Sequence, residues 1–271
     1  MKQATTIKII GVCLGLLCVG CRSVNDSNEK VMEHPIEAIK DSVSVQSPNP
    51  TIPNTPAVKE EKVETPVDLS NLGLIDVQSI EPKVQVELKY ATTDNFTGKQ
   101  MYFVLKNAFL QKDVANQLKK AQTYLEEKHP GYALLIYDAA RPVEVQQRMW
   151  DALAHVPVSE RTKFVSNPKN HSIHNYGAAV DLTIVDETGK PLDMGAKYDE
   201  IEQIAYPRLE SEFLKKGLLT EQHIANRQLL RDVMTKAGFR NIATEWWHFN
   251  ACTREQAKAK YSVFLKEPQT N

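Results

Sequence analysis

The alternation of hydrophobic and polar residues predicts four strands after residue 70. Residues 84–88 alternate between apolar and polar side chains, a pattern typical of a strand with one buried face. Residues 132–137 and residues 178–185 are short apolar runs, which predict two core strands. Residues 246–249 are rich in aromatic side chains and are predicted to be extended.

The helical pattern occurs between and after these segments. Apolar residues recur at helical spacing from Val114 to Leu125, and Pro142 suits the first turn of a helix that continues to Trp150. Two more helices are predicted at 220–237 and 253–265. Strands and helices do not alternate regularly, so the sequence predicts an α+β fold rather than a doubly wound parallel sheet. We expect a single domain with a central, mostly antiparallel sheet flanked by helices.

The composition changes sharply at about residue 70. Residues 22–70 contain six of the fourteen prolines and none of the aromatic residues. Such a segment cannot bury enough apolar surface to offset its ordering entropy, so we predict a disordered, proline-rich tether. The folded domain is then predicted to cover residues 71–267.

The first 21 residues have the pattern of a signal peptide. A positively charged start precedes the apolar run 9–19, which is too short to span a bilayer. The segment 17–21 resembles a bacterial lipobox, so Cys21 is expected to be lipidated and to anchor the protein in a membrane. Ordinary secretory cleavage nearby is the alternative. The lipidated form predicts a membrane-anchored location in the cell envelope, facing the periplasm or the exterior.

Charge and cysteine content exclude some classes of protein. The 33 basic and 34 acidic residues give a net charge of −1, which argues against binding to nucleic acid. Cys252 is the single cysteine left after the signal peptide and a lipidated Cys21, so no disulfide framework is expected. We interpret Cys252 as a half-buried structural thiol, and no obligate protein partner is evident.

A histidine and an aspartate near the third predicted strand are candidates for metal binding. His174 lies at a loop-to-strand junction, and Asp181 is embedded in an apolar segment, where an unpaired carboxylate is costly to bury. A cation would pair with this carboxylate, and zinc accepts imidazole and carboxylate ligands. From these residues alone, a structural hydrogen bond between the two explains the pattern equally well.

Two further polar groups lie next to predicted core strands. Glu245 and His248 flank two tryptophans, and this spacing places both side chains on one side of a helix or turn but not of a flat strand. An aromatic core strand with polar edges explains them unless a bend or bulge occurs there. Arg141 follows Asp138 at the end of a core strand, where a surface salt bridge is the ordinary interpretation.

Five motifs in one order give these segments a common interpretation. The pattern Ser-x-His-x-x-Gly-x-Ala-x-Asp spans Ser172–Asp181, Glu-x-x-His stands at 245–248, and Asp-x-x-Arg-Pro at 138–142. With the segments 88–98 and 194–199, they resemble the zinc D-Ala-D-Ala dipeptidases of the VanX type, relatives of the bacterial D,D-carboxypeptidases. The resemblance covers about residues 75–265 and implies a fold of the hedgehog and D,D-peptidase type.

The resemblance implies a single catalytic zinc ion. His174, Asp181 and His248 would hold it, and three protein ligands leave the fourth position to water. Glu245 would act as the base and return the proton to the leaving amine, which is typically worth about 10²–10⁴-fold in rate. Arg141 would face the oxyanion of the tetrahedral intermediate.

The resemblance also implies a substrate, the free dipeptide D-Ala-D-Ala, which is hydrolysed to two D-Ala. Asp199 would bind its ammonium group, and Ser172 and Tyr90 would be further contacts in the pocket. Familiar dipeptidases of this type work in the cytoplasm, whereas an exported enzyme would meet dipeptide released during wall turnover. The alternatives are a zinc D,D-carboxypeptidase acting on longer wall peptides and a non-catalytic wall-binding module.

Overall fold

The computed structural model describes residues 67–269, all within one compact unit. The predicted signal peptide, the proposed lipidation site Cys21 and residues 22–66 lie outside the described residues. Val67 and Leu69 pack against the core, so the described fold begins before the predicted boundary at residue 71. No helix within this range is long and apolar enough to cross a lipid bilayer.

The described residues form seven strands and seven α-helices. The strands are β1 (Leu74–Asp76), β2 (Gln85–Val86), β3 (Phe109–Gln111), β4 (Ala133–Asp138), β5 (Ala179–Val185), β6 (Arg240–Ile242) and β7 (Glu245–Asn250). The helices are α1 (Val77–Ile80), α2 (Lys112–Lys128), α3 (Val143–Ala152), α4 (Val158–Arg161), α5 (Glu210–Lys215), α6 (Glu221–Lys236) and α7 (Arg254–Lys260).

Five of the strands form the central sheet, in the order β2-β4-β5-β7-β6. β2 runs parallel to β4, and the other three neighbouring pairs are antiparallel. β1 and β3 form a separate antiparallel pair. The predicted α+β fold, with a mostly antiparallel central sheet and flanking helices, is therefore confirmed.

The two faces of the sheet have different surroundings. Side chains alternate between the faces of a strand, and Leu134, Ile136 and Leu182 point into the main hydrophobic core, which also holds the buried faces of α2 and α6. Leu135 and Tyr137, on the alternate positions of β4, belong to a second, smaller apolar cluster. Asp181, which neighbours Leu182 in β5, lies on this second face.

A buried carboxylate near the C-terminus holds the chain that follows residue 102. Glu267 accepts hydrogen bonds from the backbone N–H groups of Phe103, Val104 and Leu105, at 3.0 to 3.1 Å, and from Arg148 Nη1 at 2.9 Å. Burial raises the pKa of Glu267, but the bonds from Arg148 and the backbone outweigh it, and the pKa lies below its usual value.

Replacing Glu267 with glutamine is expected to destabilise the protein by about 1–3 kcal/mol at pH 7, because a buried charge-assisted network is lost. The pKa of Glu267 is lower in the folded state, so this stability is present above the unfolded pKa of about 4.3 and is lost as the pH falls through the folded pKa. Urea unfolding at several pH values measures the difference. The exposed Glu187→Gln control should unfold like the wild type, and a Glu267→Gln penalty that stays the same as the pH falls would contradict the assignment.

Candidate metal centre and active site

Three side chains that are distant in the sequence meet beside the central sheet. Asp181 in β5 lies opposite His248 in β7, and His174 belongs to a 3₁₀ turn, Ile173–Tyr176, that precedes β5. His248 Nδ1 lies 2.9 Å from Asp181 Oδ1 and 3.1 Å from His174 Nε2. His174 Nε2 is 3.3 Å from Asp181 Oδ1. The three atoms therefore surround one point and form a group that could hold a metal ion.

The turn that carries His174 is fixed by its own sequence. Ser172 and Asn175 form a reciprocal capping box across the start of the turn. Gly177 ends it with a φ of 64°, and a Cβ added there would lie 2.4 Å from Leu74 Cδ2. The turn therefore requires a glycine at position 177, and it places the imidazole of His174 near the start of β5.

Hydrogen bonds orient both imidazole rings. His174 Nδ1 lies 2.7 Å from the carbonyl oxygen of Ala139, which can only accept, so this nitrogen carries the proton. His248 Nε2 lies 3.0 Å from Asn250 Oδ1. With those two nitrogens directed outward, His174 Nε2 and His248 Nδ1 are the ring nitrogens that face Asp181. This is the arrangement that outer partners impose on metal-binding histidines.

The electrostatics of the cluster favour a positive charge at its centre. Burial raises the pKa of Asp181, but the neighbouring His174 and His248 outweigh it and hold the pKa far below its usual value. Burial would lower the pKa of His248, whereas the bond to Asp181 raises it to about 9. An ionised carboxylate that is 3% exposed requires such a partner. Two nitrogen donors and one oxygen donor suit a divalent transition metal.

Glu245 reaches the same site because β7 is bulged. The pairing of β6 with β7 shifts register between Asn241 and Ile242, which lie opposite Phe249 and Glu245. The bulge supplies the bend that the Glu-x-x-His spacing requires, and Glu245 Oε2 lies 3.9 Å from His248 Nδ1. Burial raises the pKa of Glu245 above its usual value. A half-buried carboxyl group beside the metal cluster is well placed to exchange protons.

Arg141 lies in the interior, so the ordinary interpretation of a surface salt bridge is wrong. Its Nε donates to Asp138 Oδ2 at 2.8 Å, and its Nη2 lies 3.7 Å from Asp181 Oδ2. The guanidinium also lies 5.2 Å from the centre of the Tyr90 ring. A register shift in the pairing of β4 with β5 places Asp138 opposite Asp181. This bulge brings the cation to the cluster.

Asp199 lies next to the cluster rather than in it. Its backbone has a φ of 58°, which is unusual for a residue other than glycine. Its carboxylate accepts from the Tyr90 hydroxyl at 3.0 Å and from the Phe96 N–H at 3.3 Å. Burial, followed by the charge of Asp181, raises the pKa of Asp199 well above its usual value. Among residues 67–269 no cation forms an ion pair with Asp199, and the charge of Arg141 lowers its pKa by less than burial raises it.

Two adjoining cavities share Glu245. The smaller, of about 220 Å³, is lined by Glu245 together with His174, Asp181 and His248. The larger, of about 550 Å³, is lined by Glu245 and Asp199. Glu245, the predicted base, and Asp199, the predicted ammonium-binding residue, therefore line a common space next to the candidate metal site.

Ser172 lies in the wall of the smaller cavity, but its hydroxyl is committed to the protein. It is 7% exposed and donates to Gln146 Oε1 at 2.7 Å. Asn250, which follows His248 by two positions, is not among the site residues that the sequence predicts. The two-residue repeat of a strand places both side chains on one face, so this spacing was a usable signal.

Comparison with known proteins identifies the family. The model of the peptidase M15 family, described as D-ala-D-ala dipeptidase, matches residues 70–267. The D-alanyl-D-alanine dipeptidase of Escherichia coli K12 is 36% identical over 176 residues, which cover 65% of this chain and 83% of the relative. The Synechocystis protein of the same name is 27% identical over 209 residues, which cover 67% of this chain and 81% of the relative.

A solved structure of the vancomycin resistance D,D-dipeptidase VanXYg, in complex with a D-Ala-D-Ala phosphinate analog, also matches. It covers 56% of this chain and 54% of its own, with 19% identity and a TM-score of 0.35. On the strength of the family model and the curated relatives, the chain belongs to the D-ala-D-ala dipeptidase family of metallopeptidases. The resemblance predicted from the five motifs is confirmed.

Proposed function

We propose that this chain is a zinc-dependent dipeptidase that hydrolyses D-Ala-D-Ala to two D-Ala outside the cytoplasm. The observation that carries the proposal is the convergence of His174, Asp181 and His248 beside Glu245. The curated relatives are D-alanyl-D-alanine dipeptidases, which supports this choice of substrate.

His174 Nε2, Asp181 Oδ1 and His248 Nδ1 are the atoms that would hold the zinc ion. Two imidazoles and one carboxylate form a donor set that zinc accepts, and three protein ligands are typical of a catalytic site. The fit is supported by the orientation of the rings, since each donates its N–H to another partner. When bound, zinc lowers the pKa of a water molecule towards about 7 and polarises a carbonyl oxygen.

Replacing Asn250 with leucine is expected to weaken zinc binding by about 10–100-fold, because the proton on His248 Nε2 loses its acceptor. Competition with a chromophoric chelator measures the zinc dissociation constant directly. The Asn250→Asp variant is the matched control, since it keeps an acceptor oxygen and should keep tight binding. Equal zinc affinity in the leucine variant and the wild type would show that Asn250 does not orient the ring.

Glu245 and Arg141 have different roles in the proposed reaction. Glu245 takes a proton from the attacking water and returns it to the leaving amine, for which its raised pKa is suitable. Arg141 directs Nε and Nη2 at Asp138, which leaves Nη1 for the oxyanion that develops on the substrate carbonyl. Losing such a donor typically costs on the order of 10²–10³-fold in rate.

Asp199 gives the site its preference for a free amino terminus. The Tyr90 hydroxyl and the Phe96 N–H hold the carboxylate in place, and an ammonium group would supply the positive charge it lacks. A longer wall peptide has an uncharged amide at that position. The preference for a dipeptide over a longer peptide therefore rests on this one carboxylate.

The test is to assay the purified, zinc-loaded protein on D-Ala-D-Ala and on a wall pentapeptide. We expect the dipeptide to have the higher kcat/KM by a wide margin. A preference for the pentapeptide would favour the D,D-carboxypeptidase alternative, for which the adjoining cavity of about 550 Å³ offers space. Binding of wall peptides without any hydrolysis would favour the non-catalytic module.

The proposed location depends on Cys21 and the signal peptide that precedes it. We propose that lipid on Cys21 anchors the enzyme to a membrane of the cell envelope, where it degrades dipeptide released by wall turnover. Cell fractionation of the wild type and of Cys21→Ser tests this. The wild type should sediment with membranes and the variant should not, whereas two equally soluble proteins would contradict the anchor.

A further inference from the structure

Two arginines line the cavity that contains the metal cluster, and their surroundings differ. Arg141 is held by Asp138 and lies 3.7 Å from Asp181. Arg254, the first residue of α7, lines the same cavity. Within residues 67–269, no side chain forms a hydrogen bond or an ion pair with the Arg254 guanidinium, which therefore keeps its donors available at an exposed position.

The chemistry of the proposed substrate calls for such a group. A free dipeptide carries an ammonium group and a carboxylate on opposite sides of its one peptide bond. Asp199, proposed for the ammonium group, lines the larger cavity, and Glu245 stands where the two cavities adjoin. A peptide bond placed at Glu245 with its ammonium group towards Asp199 directs its carboxylate into the smaller cavity, where Arg254 lies.

The other polar groups of that cavity are less suited to a carboxylate. The Ser172 hydroxyl has one proton, and this proton goes to Gln146 Oε1 at 2.7 Å. The orientation of the Gln146 amide is fixed in turn, because its Nε2 donates to the carbonyl oxygen of Ser166 at 2.9 Å. Ser172 therefore cannot donate to a substrate without releasing Gln146.

We propose that Arg254 binds the C-terminal carboxylate of the dipeptide and makes the enzyme selective for a free C-terminus. The inference rests on the proposed dipeptidase function, because it assigns one end of that substrate. Guanidinium and carboxylate groups match in geometry and form paired, charge-assisted hydrogen bonds. Because Arg254 is exposed, added salt should weaken its interaction with the substrate carboxylate.

The experiment compares two substrates, D-Ala-D-Ala and its C-terminal amide, on the wild type and on Arg254→Ala. For the free acid, the variant should raise KM about tenfold or more and leave kcat within a fewfold, because the lost contact is the same in the ground and transition states. For the amide, which has no carboxylate, wild type and variant should have the same KM. The Arg254→Lys variant should recover part of the lost affinity.

The matched control is Lys258→Ala, which removes an exposed positive charge from the same helix, outside the cavity. It should leave both substrates unaffected. Two outcomes would overturn the inference while the dipeptidase function stands. In the first, the Arg254→Ala variant has the wild-type KM for the free acid, and in the second, its KM rises by the same factor for the acid and the amide. A zinc-loaded wild type that cleaves neither compound would overturn the dipeptidase function, and the inference with it.

Discussion

Replacing Glu245 with glutamine is expected to lower kcat on D-Ala-D-Ala by about 10²–10⁴-fold and to leave the zinc content unchanged. Glutamine keeps the size and shape of the side chain but cannot take a proton from water. The zinc should remain because Glu245 is not one of the three clustered groups, and its carboxylate lies 3.9 Å from His248 Nδ1. Steady-state kinetics together with metal analysis of the same preparation measure both quantities.

The surface variant Glu255→Gln is the control for the loss of one carboxylate, and it should keep full activity. A Glu245→Gln variant with wild-type turnover would show that another group accepts the proton. A variant that loses zinc along with activity would assign Glu245 to the metal cluster instead. Retained zinc with lost turnover also argues against a wall-binding module, for which a base has no use.

The longest periodic segments were the most predictable part of the fold. Val114–Leu125 falls inside α2, and the run 178–185 contains β5, whose seven residues are all buried. Thr220 is the N-cap of α6, so this helix begins close to its predicted start. In the two apolar segments the period covers most of the element, so the pattern of buried positions predicts the conformation.

Elements that end against distant partners were predicted less well. The last helix was predicted at 253–265 but ends at Lys260, because the following chain pairs with the start of α3. The N–H groups of Val143 and Glu144, which a helix leaves unpaired at its start, donate to Phe264 and Leu265. No local pattern shows that those carbonyl groups are required elsewhere.

The candidate site shows the same division between local motif and tertiary context. The motif order singled out His174, Asp181 and His248, and the structure brings them together. The sequence did not show the bulge that turns Glu245 towards them, because a bulge depends on the register of the neighbouring strand. It also did not show that Arg141 is buried, since that depends on how β4 pairs with β5.

The second large effect is expected from replacing Asp181 with asparagine, which should abolish tight zinc binding and, with it, turnover. Asp181 supplies the negative charge of the three-ligand cluster. Outer-shell partners are worth about 10–100-fold in metal affinity, so we expect a larger loss for a direct ligand. In the wild type, zinc at 100 times its dissociation constant should add about 2.7 kcal/mol of stability.

For a domain of this size, that stabilisation corresponds to a rise in Tm of about 5–10 °C on adding zinc. Asp181→Asn should lose the rise, whereas Asp232→Asn, which neutralises an exposed carboxylate on α6, should keep it. The readout separates a metal ligand from a structural residue, because a structural defect lowers Tm with and without zinc alike. If Asp181→Asn keeps the zinc-dependent rise, the ion binds elsewhere, and Glu245 and Arg141 then have no metal centre to act beside.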